Sequence, residues 1–358
     1  MNLYNALKVC LFLVLLAFSA AAADRAATIV SFDAPGSQAT FAYGINKAGS
    51  VTGYWVDSTN VYHGFLRTAA GVITSFDAPG AAATSGLGTF ALTINTAGTV
   101  AGYYADSSEV YHGFLRSPAG VFTTFDAPGT GAAPGKNTVP QSLNDAGAVA
   151  GYCQDANAAI HGFERAANGA ITAFDAPNAG SGGTLGTYAE SIDTSGAIAG
   201  YYADEFFEYH GFQLSSSGTL TEFDVPGAGT GPDAGTEGTG INAAGAIAGD
   251  YTTPAPHGFL MTSAGAFTTF GVSAAGSLGT HPTAINQGGA VTGYYGTKGS
   301  GYRGFVRAAS GSIATFGATG AGTSNYLGTV PHSINQSGAV AGFYTDASSV
   351  AHGFVRTP

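Results

Sequence analysis

Hydrophobic and polar positions alternate along this chain in short bursts, and the bursts follow a fixed order. Between residues 72 and 116 there are four: Val72–Asp77 (VITSFD), Phe90–Asn95 (FALTIN), Thr99–Asp106 (TVAGYYAD) and Val110–Arg116 (VYHGFLR). Each is rich in β-branched and aromatic residues and bounded by Gly, Pro, Asn or Ser, which predicts a short β-strand. Alternation is clearest in the first, which sets Ile73, Ser75 and Asp77 on one face and Val72, Thr74 and Phe76 on the other. The stretches between bursts read as turns. Asn95-Thr96-Ala97-Gly98 offers an Asx turn and a left-handed Gly for a hairpin. Ser117-Pro118-Ala119-Gly120 is of hairpin length, and Asp77-Ala78-Pro79-Gly80 suits a type II turn. Only Ala81–Thr89 is long and variable.

The order repeats. The Asn (once Asp) of the I-N-x-x-G turn falls at Asn46, Asn95, Asn144, Asp193, Asn242, Asn286 and Asn335, at intervals of 49 residues with one of 44. Seven copies, each with hairpin links and one long link, predict an all-β fold: a seven-bladed β-propeller with four antiparallel strands per blade. The long link would carry the chain from the outer edge of one blade to the inner strand of the next. Each blade would then hold the second, third and fourth bursts of one copy and the first burst of the next. Strand Phe90–Asn95 and its equivalents would line a central channel. The chain begins with a first-burst segment, Ala27–Asp33, and ends with a fourth-burst segment, His352–Arg356. These two are expected to pair in the last blade, closing the ring and removing an open edge. A linear solenoid is the alternative that such complementary ends argue against.

Composition separates this chain from a disordered one. Only 9% of residues are charged and 56 are Gly, but 45% are hydrophobic and 12% aromatic, and the glycines keep fixed places in the repeat. Residues 1–23 stand outside the pattern. Lys8, the apolar run Val9–Phe18 and the small residues Ser19–Ala23 predict a secretory signal cleaved before Asp24, with residues 24–358 as a single domain. A retained anchor is the alternative, against which stands the run's length, since spanning takes roughly 20 apolar residues. Cys10 lies in the signal, so Cys153 is alone in the remainder and forms no internal bridge. It replaces the second Tyr of a G-Y-Y motif and reads as a packing substitution. The net charge is −11, or −12 once Lys8 is removed. Nucleic acid and anionic membrane surfaces are poor partners for such a chain. A glycan or protein ligand remains compatible; a monomer without cofactor and without membrane insertion after signal removal is expected.

The repeated tripeptides His63-Gly64-Phe65, His112-Gly113-Phe114, His161-Gly162-Phe163, His210-Gly211-Phe212, His257-Gly258-Phe259 and His352-Gly353-Phe354 resemble the bacterial extracellular repeats of the HAF family, named for His-Ala-Phe. The I-N-x-x-G and G-Y-Y elements are similar too, and the resemblance covers essentially all of residues 24–358. Gly in the middle position departs from the family, and copy six has Arg303-Gly304-Phe305. The resemblance implies secretion and a propeller-like repeat fold, and no particular activity.

Six His at one repeat position could suggest metal ligands. A residue present in nearly every blade is better read as structural, and ligands around a ring are too far apart to share one ion. Asp57, Asp106, Asp155, Asp204 and Asp346 each precede a repeat His by six residues, which predicts an Asp106–His112 hydrogen bond across the hairpin. Asn95 and Gly98 are assigned to the turn. The second Asp set, Asp33, Asp77, Asp126, Asp175 and Asp224 in F-D-x-P-G, is expected to accept turn N–H groups; no D-x-D-x-D spacing favours calcium. The Gly129–Gly135 and Gly180–Gly186 links lack the Gly-Lys-Ser/Thr of a phosphate loop. No G-x-S-x-G elbow occurs, so neither a nucleophile nor any other catalytic residue is assigned. Functional candidates are the breaks in the repeat: Trp55 in copy one, Phe206 and Phe207 in copy four, and Tyr302 and Arg303, with Lys298, in copy six. Aromatic rings beside carboxylates suit sugar stacking or a protein contact. The reading is a non-enzymatic binding module for a glycan or an extracellular protein, met by the face carrying the Asp106–Val110 type of loop. A polysaccharide lyase using His281, His332, Tyr302 and Arg303 is the first alternative, and a structural envelope or matrix protein the second.

Overall fold

The computed structural model describes residues 27–130, 137–297, 299–324 and 326–358. Residues 1–23, expected to be a secretory signal, Lys298 and most of the Gly129–Gly135 link lie outside them. The described residues form 28 β-strands and no helix. The strands pair as antiparallel groups of four. In the group that holds copy two, the order is Thr89–Ile94, Val100–Ala105, Tyr111–Arg116 and Phe122–Phe125. The first burst of one copy therefore closes the sheet of the copy before it. Three groups stand as separate sheets. Two further sheets have eight strands, each being two groups joined by a single parallel residue pair, Ile160 with Gly186 and Tyr302 with Gly328. Thr28–Phe32 pairs antiparallel with Ala351–Thr357, Thr28 opposite Thr357 and Phe32 opposite Gly353. The first strand of each group packs beside the first strand of the next, and Ala39–Ile45 packs beside both Thr89–Ile94 and Gly328–Ile334.

Packing between groups explains the repeated residues. Phe65, Phe114, Phe163, Phe212, Phe259, Phe305 and Phe354 are 0% exposed. Each meets, edge to face, the Phe that ends the preceding group's outermost strand, as Phe76 meets Phe114 at 6.3 Å and Phe32 meets Phe65 at 5.9 Å between centroids. The same outer Phe lies flat on the Gly of the tripeptide in its own group. A Cβ on Gly113 would sit 2.7 Å from the Phe125 ring, which explains the Gly in the middle of the tripeptide. An Arg of the following group covers the other side of the outer ring, Arg116 over Phe76 and Arg67 over Phe32, both at 4.7 Å.

Each inner strand bulges at one place, three residues before the turn Asn or Asp. The ladder skips from Ala42 to Gly44, Ala91 to Thr93, Pro140 to Ser142, Ala189 to Ser191, Gly238 to Gly240, Pro282 to Ala284 and Pro331 to Ser333. Pro is tolerated there because the inner strand is an edge whose other side needs no ladder donor. Beyond the bulge, the turn amides join neighbouring groups. Asn46 Nδ2 donates to Asn95 O (3.2 Å), Asn95 to Asn144 O (3.2 Å), Asn144 to Asp193 O (2.9 Å), Asn242 to Asn286 O (3.2 Å), Asn286 to Asn335 O (3.0 Å) and Asn335 to Asn46 O (3.0 Å). Asp193 has no amide and donates nothing to its neighbour. Each Oδ1 meanwhile closes its own turn, as Asn95 accepts from Thr99 N at 3.0 Å.

Candidate functional site

The His set belongs to the framework. His112 Nδ1 lies 2.8 Å from Asp126 Oδ1, whereas its Nε2 lies 3.5 Å from Asp106 Oδ2. The hairpin partner expected from spacing is thus the weaker one. Strand Phe122–Phe125 runs beside Tyr111–Arg116 with Phe125 opposite Gly113, so the next residue along, Asp126, is set against His112. Asp126 and its equivalents serve the His and not the turn amides expected for them. Asp106 Oδ1 instead caps its own loop, accepting from Ser108 N (2.8 Å) and Val110 N (3.0 Å). Burial alone would raise the Asp106 pKa, but these N–H donors and His112 outweigh it and lower the carboxyl. The imidazole faces also stack on the second Tyr of G-Y-Y, as Tyr104 on His112 at 5.0 Å. Copies five and six lose the acceptor, since Gly271 and Gly317 stand where the other copies have Asp.

The five singled-out residues fall in three different groups of strands. Trp55 takes the Tyr position: it stacks on His63 at 4.5 Å and its Nε1 donates to Ser75 Oγ at 2.9 Å. Tyr302 meets Tyr294 edge to face at 5.0 Å. Arg303 is exposed, with its guanidinium near Gly317. Phe206 is 73% exposed and Phe207 47%. Both lie in the loop that Asp204 caps, its Oδ1 accepting from Phe206 N (2.8 Å) and Glu208 N (2.9 Å), and Phe207 is held at φ 63°. Beside this loop opens a cleft of about 510 Å³, lined by Pro177, Asn178, Ala179, Tyr202, Asp204, Glu205, Phe206 and His210. Asn178 reaches across to Glu222, its Nδ2 donating to Oε2 at 2.9 Å.

A second opening lies among the Asn turns, a cavity of about 580 Å³ between the inner strands. The seven bulged residues line it: Tyr43, Leu92, Gln141, Glu190, Thr239, Thr283 and His332. The residues on either side of them stay small or are Pro, while these differ in size, charge and polarity. The sequence shows this as a changing letter three places before the Asn or Asp of each turn. Tyr43 lies against His332, tilted by 32° at 4.2 Å between centroids, and Phe343 stacks on the imidazole at 5.3 Å. Burial drives the His332 pKa down to about 4, and its Nε2 has no hydrogen-bond partner among the described residues. Opposite in character, Glu190 Oε2 accepts from Gln141 Nε2 at 3.2 Å, and burial pushes the carboxyl up to about 7.

Sequence reasoning also passed over Glu237 and Asp250. In copies two and four these positions hold stacked rings, Phe90 on Tyr103 at 4.7 Å and Tyr188 on Tyr201 at 4.9 Å. In copy five two acids face each other across the ladder. His281 of copy six answers them. Its Nδ1 lies 3.1 Å from Asp250 Oδ2 and its Nε2 2.7 Å from Leu278 O. Both ring nitrogens face acceptors, an arrangement that favours the imidazolium, which donates from both. Burial works against that charge, but Asp250 outweighs it and raises the His281 pKa. Burial and then Asp250 push Glu237 up to about 8, so it keeps its proton at neutral pH. His281 and His332 therefore sit in separate environments, and neither is joined by Arg303. Among the described residues no three His, Cys, Asp or Glu side chains are grouped to hold a metal ion. Cys153 is buried, and burial pushes its thiol up to about 12.

No protein-family model and no curated protein matches this sequence. Among solved structures, a prolyl endopeptidase is similar over 90% of this chain and 51% of that chain, at 11% identity and a TM-score of 0.53. This chain thus spans about half of that one, and the likeness shows a shared fold alone. The BP39L lectin from Burkholderia pseudomallei aligns over 90% of this chain and 100% of its own, with 10% identity and a TM-score of 0.47. Aleuria aurantia lectin, solved with α-methyl-L-fucoside, aligns over 92% and 90%, with 12% identity and a TM-score of 0.40. These two likenesses are too loose to bear on function.

Proposed function

We propose that residues 24–358 form one closed seven-bladed β-propeller of the HAF-repeat kind, secreted, and working as a non-enzymatic glycan-binding module. Closure is supported by the pairing of Thr28–Phe32 with Ala351–Thr357 and by Arg67 covering Phe32, which repeats at the termini the contact Arg116 makes with Phe76. The glycan reading is carried by one observation: Phe206, 73% exposed, stands over an open cleft edged by Asn178, Asp204, Glu205 and His210. A sugar presents an apolar ring face and a belt of hydroxyls. An exposed aromatic ring beside carboxylate and amide groups complements both. The cleft lies on the loop face; its Pro, Tyr, Asp and His recur in other copies, but Asn178, Glu205 and Phe206 do not, copy two having Gly80, Ser107 and Ser108 there, so the site is assigned to copy four.

The test is binding of the secreted chain to an array of neutral and fucosylated glycans, followed by titration with the strongest hit. Phe206→Ala is expected to weaken binding at least about tenfold, the loss of roughly 1.4 kcal/mol, with unchanged thermal stability because the ring is exposed. Asn178→Ala should weaken it as well. A silent array, or a hit that Phe206→Ala leaves untouched, overturns the reading.

A further inference from the structure

The central cavity is a different site with different chemistry. It opens among the Asn turns, away from the Phe206 loop, and encloses about 580 Å³. Its wall is two-sided. On one side are Tyr43 and His332, with Tyr54 and Phe343 behind them. On the other is Glu190, supported by Gln141 at 3.2 Å. Thr239 and Thr283 turn their hydroxyls to main-chain carbonyls, donating to Pro282 O and Pro331 O at 3.1 Å each. Lys47 is exposed at the mouth, while Asp145 there is taken up by Thr96, accepting at 2.8 Å from its N–H and at 2.9 Å from its hydroxyl.

Among the described residues Glu190 has no counter-ion. Its electrostatic neighbours are Tyr152, Tyr188, Tyr201 and Glu237, none of them a cation. The other ionisable ring at its level, His332, is neutral at physiological pH and has an unpartnered Nε2. A carboxylate facing aromatic rings in an enclosed space attracts a positive charge twice, through the ion pair and through the ring quadrupoles. We propose that this cavity binds a small organic cation, a primary or quaternary ammonium compound, with Glu190 as its counter-ion and Tyr43 as its aromatic wall. Empty, the Glu190 carboxyl is held up near 7 by burial and carries a proton part of the time. The bound cation replaces that proton, which leaves to solvent, and the carboxylate remains. Affinity therefore rises with pH through about 7, and binding near neutrality releases up to one proton.

Calorimetric titration of the full chain with 1,4-diaminobutane and with tetramethylammonium chloride, against myo-inositol as a neutral control, tests this. At least one cation is expected to bind with an enthalpy that changes with the buffer's ionisation heat, and myo-inositol not to bind. Glu190→Gln should weaken the cation at least about tenfold and abolish the pH dependence. Tyr43→Leu should weaken it by a smaller factor, and Leu92→Trp should block it by filling the cavity. Phe206→Ala should leave it unchanged, so failure of the glycan reading and failure of this one are separable. No heat from either cation up to about 10 mM, or binding that survives Glu190→Gln in a chain of wild-type thermal stability, overturns the proposal.

Discussion

A single atom decides what several positions tolerate. Gly102 and Gly113 are neighbours in one sheet, but they are required for different reasons. A Cβ on Gly102 would lie 2.1 Å from Phe90 O, a main-chain atom fixed by the ladder, whereas on Gly113 it would meet the Phe125 ring, which can tilt. Gly102→Ala is expected to cost about 3 kcal/mol and Gly113→Ala about 1 kcal/mol, compared by urea denaturation. Equal costs would remove this account of the G-Y-Y glycine. The partners of His112 show why sequence distance misleads at this scale. Asp106, six residues away, was legible as a partner because a hairpin joins them. Asp126, fourteen residues away, makes the shorter contact because the outer strand brings it alongside. Nothing local in the sequence announces that second strand's register. For the same reason the exposed Asp–His pairs should contribute little to stability: Asp126→Asn is expected to cost under about 1 kcal/mol.

At the level of strands, most of the architecture was readable, since the bursts, turn residues and 49-residue interval all repeat. What was not readable lies where two strands face each other with unusual residues. Glu237 and Asp250 carry no mark of their own in the sequence; the ladder places them opposite each other, with His281 against Asp250. Their protons give this strand pair a pH signature. Glu237 holds a proton up to about 8 in the folded chain, against 4.5 as its ordinary value. Through that window the folded state binds a proton the unfolded state has lost, so stability falls as pH rises. His281, whose pKa is raised, stabilises when charged, and that contribution also disappears as pH climbs past its folded value. Both act in the same direction. The melting temperature of the wild type should decline by a few degrees between about pH 6.5 and 8.5, and Glu237→Gln should flatten the decline. A wild-type profile flat across that range would contradict the burial of these groups. Of the bulged residues around the cavity only His332 was singled out, as a lyase candidate; each of the others is a plausible strand residue alone, and only the strands brought side by side show that Glu190 and Tyr43 share one space.

For the molecule as a whole, the proposed ring depends on one pairing between residues more than three hundred positions apart. Deleting residues 27–33 would leave Ala351–Thr357 an open edge and uncover Phe65 and the Arg67 guanidinium. The deleted chain should melt at least about 5 °C lower and self-associate in light scattering; a chain that stays monomeric with an unchanged melting temperature would argue that the ends do not close the fold. The amide belt adds a mechanical property. Six of its turns donate to the next, and Asp193 does not. A hoop with one missing rivet does not loosen evenly: it gapes at that joint. The seam between copies four and five should therefore be the place where the molecule breathes first, seen as the fastest amide exchange among its turns, and Asp193→Asn should tighten it. Glu190 and Glu237 stand on the two sides of that seam, so two carboxyls that burial pushes upward sit beside the joint without its amide.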